Sequence, residues 1–311
     1  MPAYQVSRSV EIQCDPEQAF EAVSNYRTWT TWSPWLIAEP EAKVTISQNA
    51  SSIGSTYAWD GKVTGAGELE HQVLERGKRI EDELRFKRPF KTVCQTSFHF
   101  APSRFGTKVT WNMNAKLPWF MFWMIPMMKT FIAMDYQRGL AMLKDWIETG
   151  SIPSRCSVHG KKSIGPVRMA GVVGRCSVFD VGSSMEQAFE QARSEFRRLG
   201  LPSEGEMISV YTRFRMGAGE FEYISGWMIP PAVEVKSPRL KVWTLPAGPA
   251  FQVDHVGSYR HLGNGWGVAN QLVRHQKLKQ QRTGTFEIYR TTPPDTPEDE
   301  FLTEIYLPLR Q

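Results

Sequence analysis

A chain of 311 residues is long enough for two domains, and 41% hydrophobic with 22% charged residues is the composition of a folded globular protein with a core in each half. The net charge of +5 is too small to mark a nucleic-acid-binding face. Four scattered cysteines, Cys14, Cys94, Cys156 and Cys176, form neither a metal-ligand pair nor a disulfide framework, so reduced thiols, no metal and no cofactor are expected. No signal peptide precedes the strand pattern that begins at Tyr4, and the cytoplasm is the default compartment.

Residues 4–13 alternate as a strand. Asp15-Pro16-Glu17-Gln18 then supplies an N-cap, a proline at the first helical position and a capping-box glutamine, and Ala19, Phe20, Ala22 and Val23 give the helix a core face. Asn25–Pro34 turns and carries Trp29 and Trp32. From Lys43 to about Trp111 a run of strands is broken by turn signals such as Asp60-Gly61 and Arg76-Gly77. Leu117–Met134 is rich in Trp, Phe and Met, but it is short, holds Pro118 and Pro126 and is interrupted by Lys129, so it does not read as a membrane span. It is expected to be a loop and helix start that lines or caps an internal cavity, with weak peripheral membrane contact as the second reading. Residues 129–148 follow as a long helix with Phe131, Met134, Leu140, Leu143 and Ile147 at helical spacing. His71 and His99 fall on strands and read as satisfied or surface histidines, and no acid, base or metal set converges in this half.

The order strand, helix, many strands, long helix resembles the START-like helix-grip superfamily (SRPBCC), especially its polyketide cyclase-like members. The resemblance rests on Asp15-Pro16-Glu17-Gln18-Ala19-Phe20, on Tyr26-Arg27-Thr28-Trp29-Thr30-Thr31-Trp32-Ser33-Pro34-Trp35 and on Asp135-Tyr136-Gln137-Arg138-Gly139-Leu140. It implies an antiparallel sheet wrapped around the long helix with an apolar, ligand-holding cavity between them. It does not imply cyclase chemistry here.

Gly150–Arg155 and Gly160–Ser163 are polar and rich in Gly, Pro and Ser, and read as a linker over 153–163 between domains 1–152 and 164–311. The second half then shows a near-repeat. Residues 166–179 form a strand, Ser184–Leu199 a helix ending at Gly200-Leu201-Pro202, and Met207–Met216 and Phe221–Ile229 two strands. Lys241–Gly257, Leu262–Leu278, Thr285–Arg290 and Phe301–Leu309 repeat the scheme, so this half is βαββ twice. Such units join into one sheet with both helices on one side and a cleft on the pseudo-symmetry axis. Arg274, Lys277, Lys279 and Arg282 read as a solvated helix end.

Two glutamates in this half sit two residues before a tyrosine, Glu287 before Tyr289 and Glu304 before Tyr306, and so share a strand face with it. A carboxylate among aromatic rings binds an organic cation, or, when desolvated, holds a proton and acts as an acid. Either glutamate alone is equally a solvent-facing strand residue. Trp266 equally fits a core stripe with Leu262, Ala269, Leu272 and Val273.

His255-Val256-Gly257-Ser258-Tyr259, Leu262-Gly263-Asn264-Gly265-Trp266, Phe286-Glu287-Ile288-Tyr289-Arg290 and Thr303-Glu304-Ile305-Tyr306-Leu307-Pro308-Leu309 resemble the GyrI-like effector-binding family. That resemblance implies a buried acidic residue at a cleft floor, best matched by Glu287 and next by Glu304, with Tyr259, Trp266, Tyr289 and Tyr306 as walls. The implied partner is a hydrophobic, cationic small molecule. The family's transcription activators carry a helix-turn-helix domain, and none is evident here, so no nucleic-acid partner is expected. The fold class expected for the whole is α+β. The alternative reading is a hydrolase that opens strained, cyclopropane-bearing molecules, with Trp266 and Glu287 positioning and activating substrate or water. Binding and catalysis both remain open at this point, as does the oligomeric state.

Overall fold

A computed structural model describes residues 2–202 and 205–311. The chain divides into two compact units, Met1–Ile152 and Pro153–Gln311.

The first unit opens with β1 (Ala3–Ile12) and α1 (Pro16–Ser24). Asp15 caps α1, its side chain accepting from the Gln18 backbone N–H at 2.8 Å, with Pro16 in the first turn where its missing N–H costs nothing. A 3₁₀ turn at Tyr26–Thr28 leads into α2 (Trp29–Trp32). Six further strands follow: β2 (Lys43–Ile46), β3 (Thr56–Asp60), β4 (Ala66–Glu75), β5 (Arg79–Arg88), β6 (Thr92–Ser103) and β7 (Gly106–Lys116). They form one antiparallel sheet in the order β1-β7-β6-β5-β4-β3-β2, and α3 (Ile125–Thr149) lies against β1 and β7. This is the expected helix-grip arrangement.

The space between sheet and helices is occupied by rings. Trp111 stacks on Tyr136 of α3 at 3.9 Å and on Phe98 at 4.7 Å, with Trp29 and Trp32 packed edge-on around it. Gly139 permits that closeness, because a Cβ there would lie 2.9 Å from the Trp111 ring. The ring nitrogen of Trp111 is satisfied by the Thr96 hydroxyl at 2.9 Å. His71 is fully buried and structural, with Nδ1 on Asp82 at 2.5 Å and Nε2 on the Ser24 carbonyl at 2.8 Å, whereas His99 is exposed. A groove of about 490 Å³ lies at one end of the sheet, between Tyr4, Val93, Cys94, Asn114 and Lys116.

The Trp/Met-rich segment differs from expectation. Trp119–Met124 forms a 3₁₀ turn ahead of α3, and Trp119, Phe120, Phe122 and Trp123 are 60–75% exposed rather than lining a cavity. No helix among the described residues is long and apolar enough to cross a membrane.

The second unit begins earlier than expected. Residues 153–163, read as a linker, contain most of β8 (Ser154–Ile164), which pairs antiparallel along the whole of β13 (Gly248–Gly257). Its polar composition belongs to a sheet edge, where charged residues such as Lys161 and Lys162 discourage further pairing. The repeat follows as β9 (Val167–Ser177), α4 (Val181–Leu199), β10 (Met207–Arg215) and β11 (Glu220–Met228), then β13, α5 (Leu262–His275), β14 (Thr285–Tyr289) and β15 (Leu302–Pro308). The stretch read as one strand over 241–257 is two, because Pro246-Ala247 break it. Its first part, β12 (Lys241–Leu245), pairs with β9.

The sheet order is β12-β9-β11-β10-β14-β15-β13-β8. The two βαββ units therefore meet at β10 and β14, on a pseudo-two-fold axis. Both faces are buried. Met185, Phe189 and Phe196 of α4 pack with Tyr223 and Trp227 on one, and Ile208, Val210, Phe286 and Ile288 form a second cluster on the other. Trp243 of β12 reaches across this second face to Phe286 at 5.8 Å and donates to the Thr283 carbonyl at 2.8 Å, so the sheet curls into a half-barrel.

A candidate ligand site at Glu287

Glu287 lies at the middle of β14, opposite Ser209 of β10, on the face that carries α4 and α5. It is 0% exposed. Three side chains donate to it. The hydroxyls of Tyr289 and Tyr211 reach Oε1 at 2.5 and 3.1 Å, and the Trp266 indole N–H reaches Oε2 at 2.6 Å. Burial raises the Glu287 carboxyl above the ordinary range, against the lowering effect of the three donors. Burial, followed by the adjacent Glu287 charge, in turn pushes the Tyr211 and Tyr289 hydroxyls well up.

The indole N–H can only donate, so Oε2 is held as an acceptor. A proton on Glu287 is then best carried on Oε1, where either tyrosine oxygen can accept it. The site is thus built to exist in two protonation states without breaking its hydrogen bonds. This differs from an unpaired carboxylate awaiting a partner.

Half-buried rings surround the glutamate. Trp266 meets Tyr211 edge-to-face at 5.0 Å, and Tyr289 meets Tyr259 at 5.5 Å and Phe189 at 5.6 Å. Tyr259 is fixed by donating to the Thr291 carbonyl at 3.2 Å. Gly265 brings α5 down onto the sheet, where a Cβ would lie 2.6 Å from Ile305 Cδ1, and so sets the height of Trp266 above Glu287.

Of the residues expected together, Glu287, Tyr289, Trp266 and Tyr259 converge. Glu304 and Tyr306 do not. Glu287 pairs with Ile305 and Phe286 with Tyr306, so Glu304 and Tyr306 take the opposite face. There Tyr306 stacks on Phe286 at 4.9 Å and donates to Glu304 at 2.7 Å, while Arg290 binds the same carboxylate oxygen at 2.7 Å. Burial pushes Glu304 up, but the bonds from Arg290 and Tyr306 and the charges of Arg290 and His159 outweigh it, and its pKa is lowered. It is a paired, ionised group.

Tyr211 is the residue that sequence reasoning missed. It could have been found by laying one repeat on the other, because Ser209-Val210-Tyr211 answers Glu287-Ile288-Tyr289. The two repeats thus supply two equivalent tyrosines to a single carboxylate. Among the described residues no cluster of His, Cys, Asp or Glu is arranged to hold a metal ion, and no disulfide joins any of the four cysteines.

Residues 161–310 match the family model of the GyrI-like small molecule binding domain, and residues 3–148 match that of polyketide cyclase/dehydrase and lipid transport. The chain is a fusion of these two domain families. Both are families of small-molecule-binding domains. Among solved structures, the EcmrR C-terminal domain is 17% identical with a TM-score of 0.41, over 51% of this chain and 99% of that one. SAV2435 bound to tetraphenylphosphonium is 11% identical with a TM-score of 0.38, over 50% and 94%. A Chromobacterium violaceum protein is 17% identical with a TM-score of 0.36, over 46% and 97%. No curated protein matches the chain.

Proposed function

We propose that the GyrI-like domain binds hydrophobic, cationic small molecules at Glu287. The observation that carries this reading is a fully buried carboxylate, held by three donors, among half-buried aromatic side chains. A cation need not displace the donors. Lying over the rings of Tyr259, Trp266 or Tyr211, it is attracted by the ring faces, each by about 0.5–2 kcal/mol, and by the Glu287 charge through a medium of low dielectric. The family's small-molecule role supports the same reading.

The test is calorimetry of the full chain with a lipophilic aromatic cation such as tetraphenylphosphonium. Glu287→Gln, which keeps the shape and removes the charge, should weaken binding about 30-fold, as expected for loss of roughly 2 kcal/mol of charge-assisted interaction. Equal affinity of the two proteins would reject the assignment. Because burial raises the Glu287 pKa, affinity should tighten as pH rises through that value and the carboxylate forms.

A second reading is hydrolysis of a strained, cyclopropane-bearing electrophile. The raised pKa favours it, because Glu287 can carry a proton on Oε1 and deliver it as general acid, with Trp266 orienting the carboxyl through Oε2. Turnover that survives Glu287→Gln unchanged would remove that role.

A further inference from the structure

The polyketide cyclase-like domain carries an apolar projection that the small-molecule reading does not use. In a 3₁₀ turn three residues complete a revolution, so Trp119 and Phe122 share one side, Phe120 and Trp123 a second, and Met121 and Met124 the third. The first two sides are exposed and the methionines are half-buried. Four large rings therefore stand out from the domain on two sides of one turn.

The projection has company. Ala3 pairs with Lys116 and Gln95 with Asn114, so the chain leaves β7 toward Trp119 at the sheet end where β6 begins. Phe90 and Val93 sit at that same end, 80% and 58% exposed. Between Glu83 and Asp135 the sequence has no acidic residue, while Lys91, Lys116 and Lys129 on this stretch are exposed.

Exposed apolar surface of this size marks an interaction site. Its form selects the occupant. A flat protein partner covers one side of such a wedge and leaves the other wet, whereas lipid closes around both. Trp and Phe suit the headgroup boundary, and lysines with no acidic neighbour in the sequence complement a negative leaflet. We propose that this domain docks on anionic lipid bilayers, with the Trp119–Met124 turn inserted among the headgroups and Lys91, Lys116 and Lys129 at the phosphate level. It lies on the membrane and does not span it.

The experiment is co-sedimentation of the full chain with vesicles of phosphatidylcholine alone and of an equimolar mixture with phosphatidylglycerol. The protein should partition to the mixed vesicles about tenfold more strongly, with a blue shift of tryptophan emission. The variant Trp119→Ser/Phe120→Ser/Phe122→Ser/Trp123→Ser should lose about tenfold or more on the mixed vesicles, and Lys116→Glu/Lys129→Glu should abolish the preference for them. Both variants should keep the wild-type circular dichroism. Glu287→Gln should bind vesicles as wild type does, so failure here is separable from failure of the Glu287 site. Three results would overturn the proposal: wild-type protein left in the supernatant with both vesicles, undiminished binding by the four-fold serine variant, or self-association through these rings without vesicle binding.

Discussion

Replacing Glu287 by glutamine should make the protein more stable at neutral pH and remove a pH dependence. The glutamine carbonyl can still accept from the Trp266 indole, and its amide can donate to the oxygens of Tyr211 and Tyr289, so the three contacts at 2.5–3.1 Å survive in neutral form. What disappears is the cost of a desolvated charge, and a neutral isostere of similar volume is favoured by about 1–2 kcal/mol in such settings. The sign follows from the raised pKa. In the unfolded chain the carboxyl ionises near its ordinary value of about 4.3, whereas the folded protein keeps the proton to higher pH. Wild-type stability is then fully present below the ordinary value. It falls by up to about 1.4 kcal/mol per pH unit as pH rises toward the folded value, and levels off above it. Scanning calorimetry of the full chain, following the transition of the GyrI-like domain, should show Glu287→Gln melting about 2–4 °C higher per kcal/mol at neutral pH. The two proteins should converge on acidification to about pH 4. A variant that melts lower at neutral pH, or a gap that does not close in acid, would refute the claim that burial dominates this carboxyl. Glu287→Ala makes the contrast, because it strands three donors and should cost about 3 kcal/mol.

Three further outcomes are expected. Glu304→Gln should leave affinity for an aromatic cation unchanged in calorimetry, because that carboxylate lies on the other side of the sheet and is already paired with Arg290. Trp266→Phe removes a bond that lowers the Glu287 pKa, so the pH midpoint of cation binding, followed by fluorescence titration, should move upward. In the other domain, Asp82→Ala takes the partner from a fully buried His71 and should cost about 3–5 kcal/mol, read as a lower urea midpoint.

Much of this architecture was legible from periodicity. The capped first helix, the long helix over 129–148 and the doubled βαββ order all stand near their expected positions, because each rests on a pattern local to one element. The site was legible only in part. Alternation says that Glu287 and Tyr289 share a face, and likewise Glu304 and Tyr306, but it cannot say which face of the sheet either pair takes. That depends on register, and Glu287 stands opposite Ile305, one residue from where a shared cleft would need it. Tyr211 escaped because it belongs to the other repeat and comes into reach only through the pairing of β10 with β14. β8 escaped because an edge strand is allowed, and even obliged, to be polar. The aromatic turn at 119–124 was noticed for its composition, but whether such rings point in or out is decided by what packs above them.

The position of β8 bears on how the second domain can be studied alone. A fragment cut at residue 164, where composition suggests the domain starts, would lose β8, leave β13 paired on its β15 side alone, and bare a row of backbone donors and acceptors beside Phe251 and Val253. Such an open border invites other molecules to stack against it, and aggregation of that piece would say nothing about Glu287. Starting the fragment ahead of Pro153 also keeps the Pro153 carbonyl that accepts from the Ser258 backbone N–H at 3.0 Å, just before Tyr259.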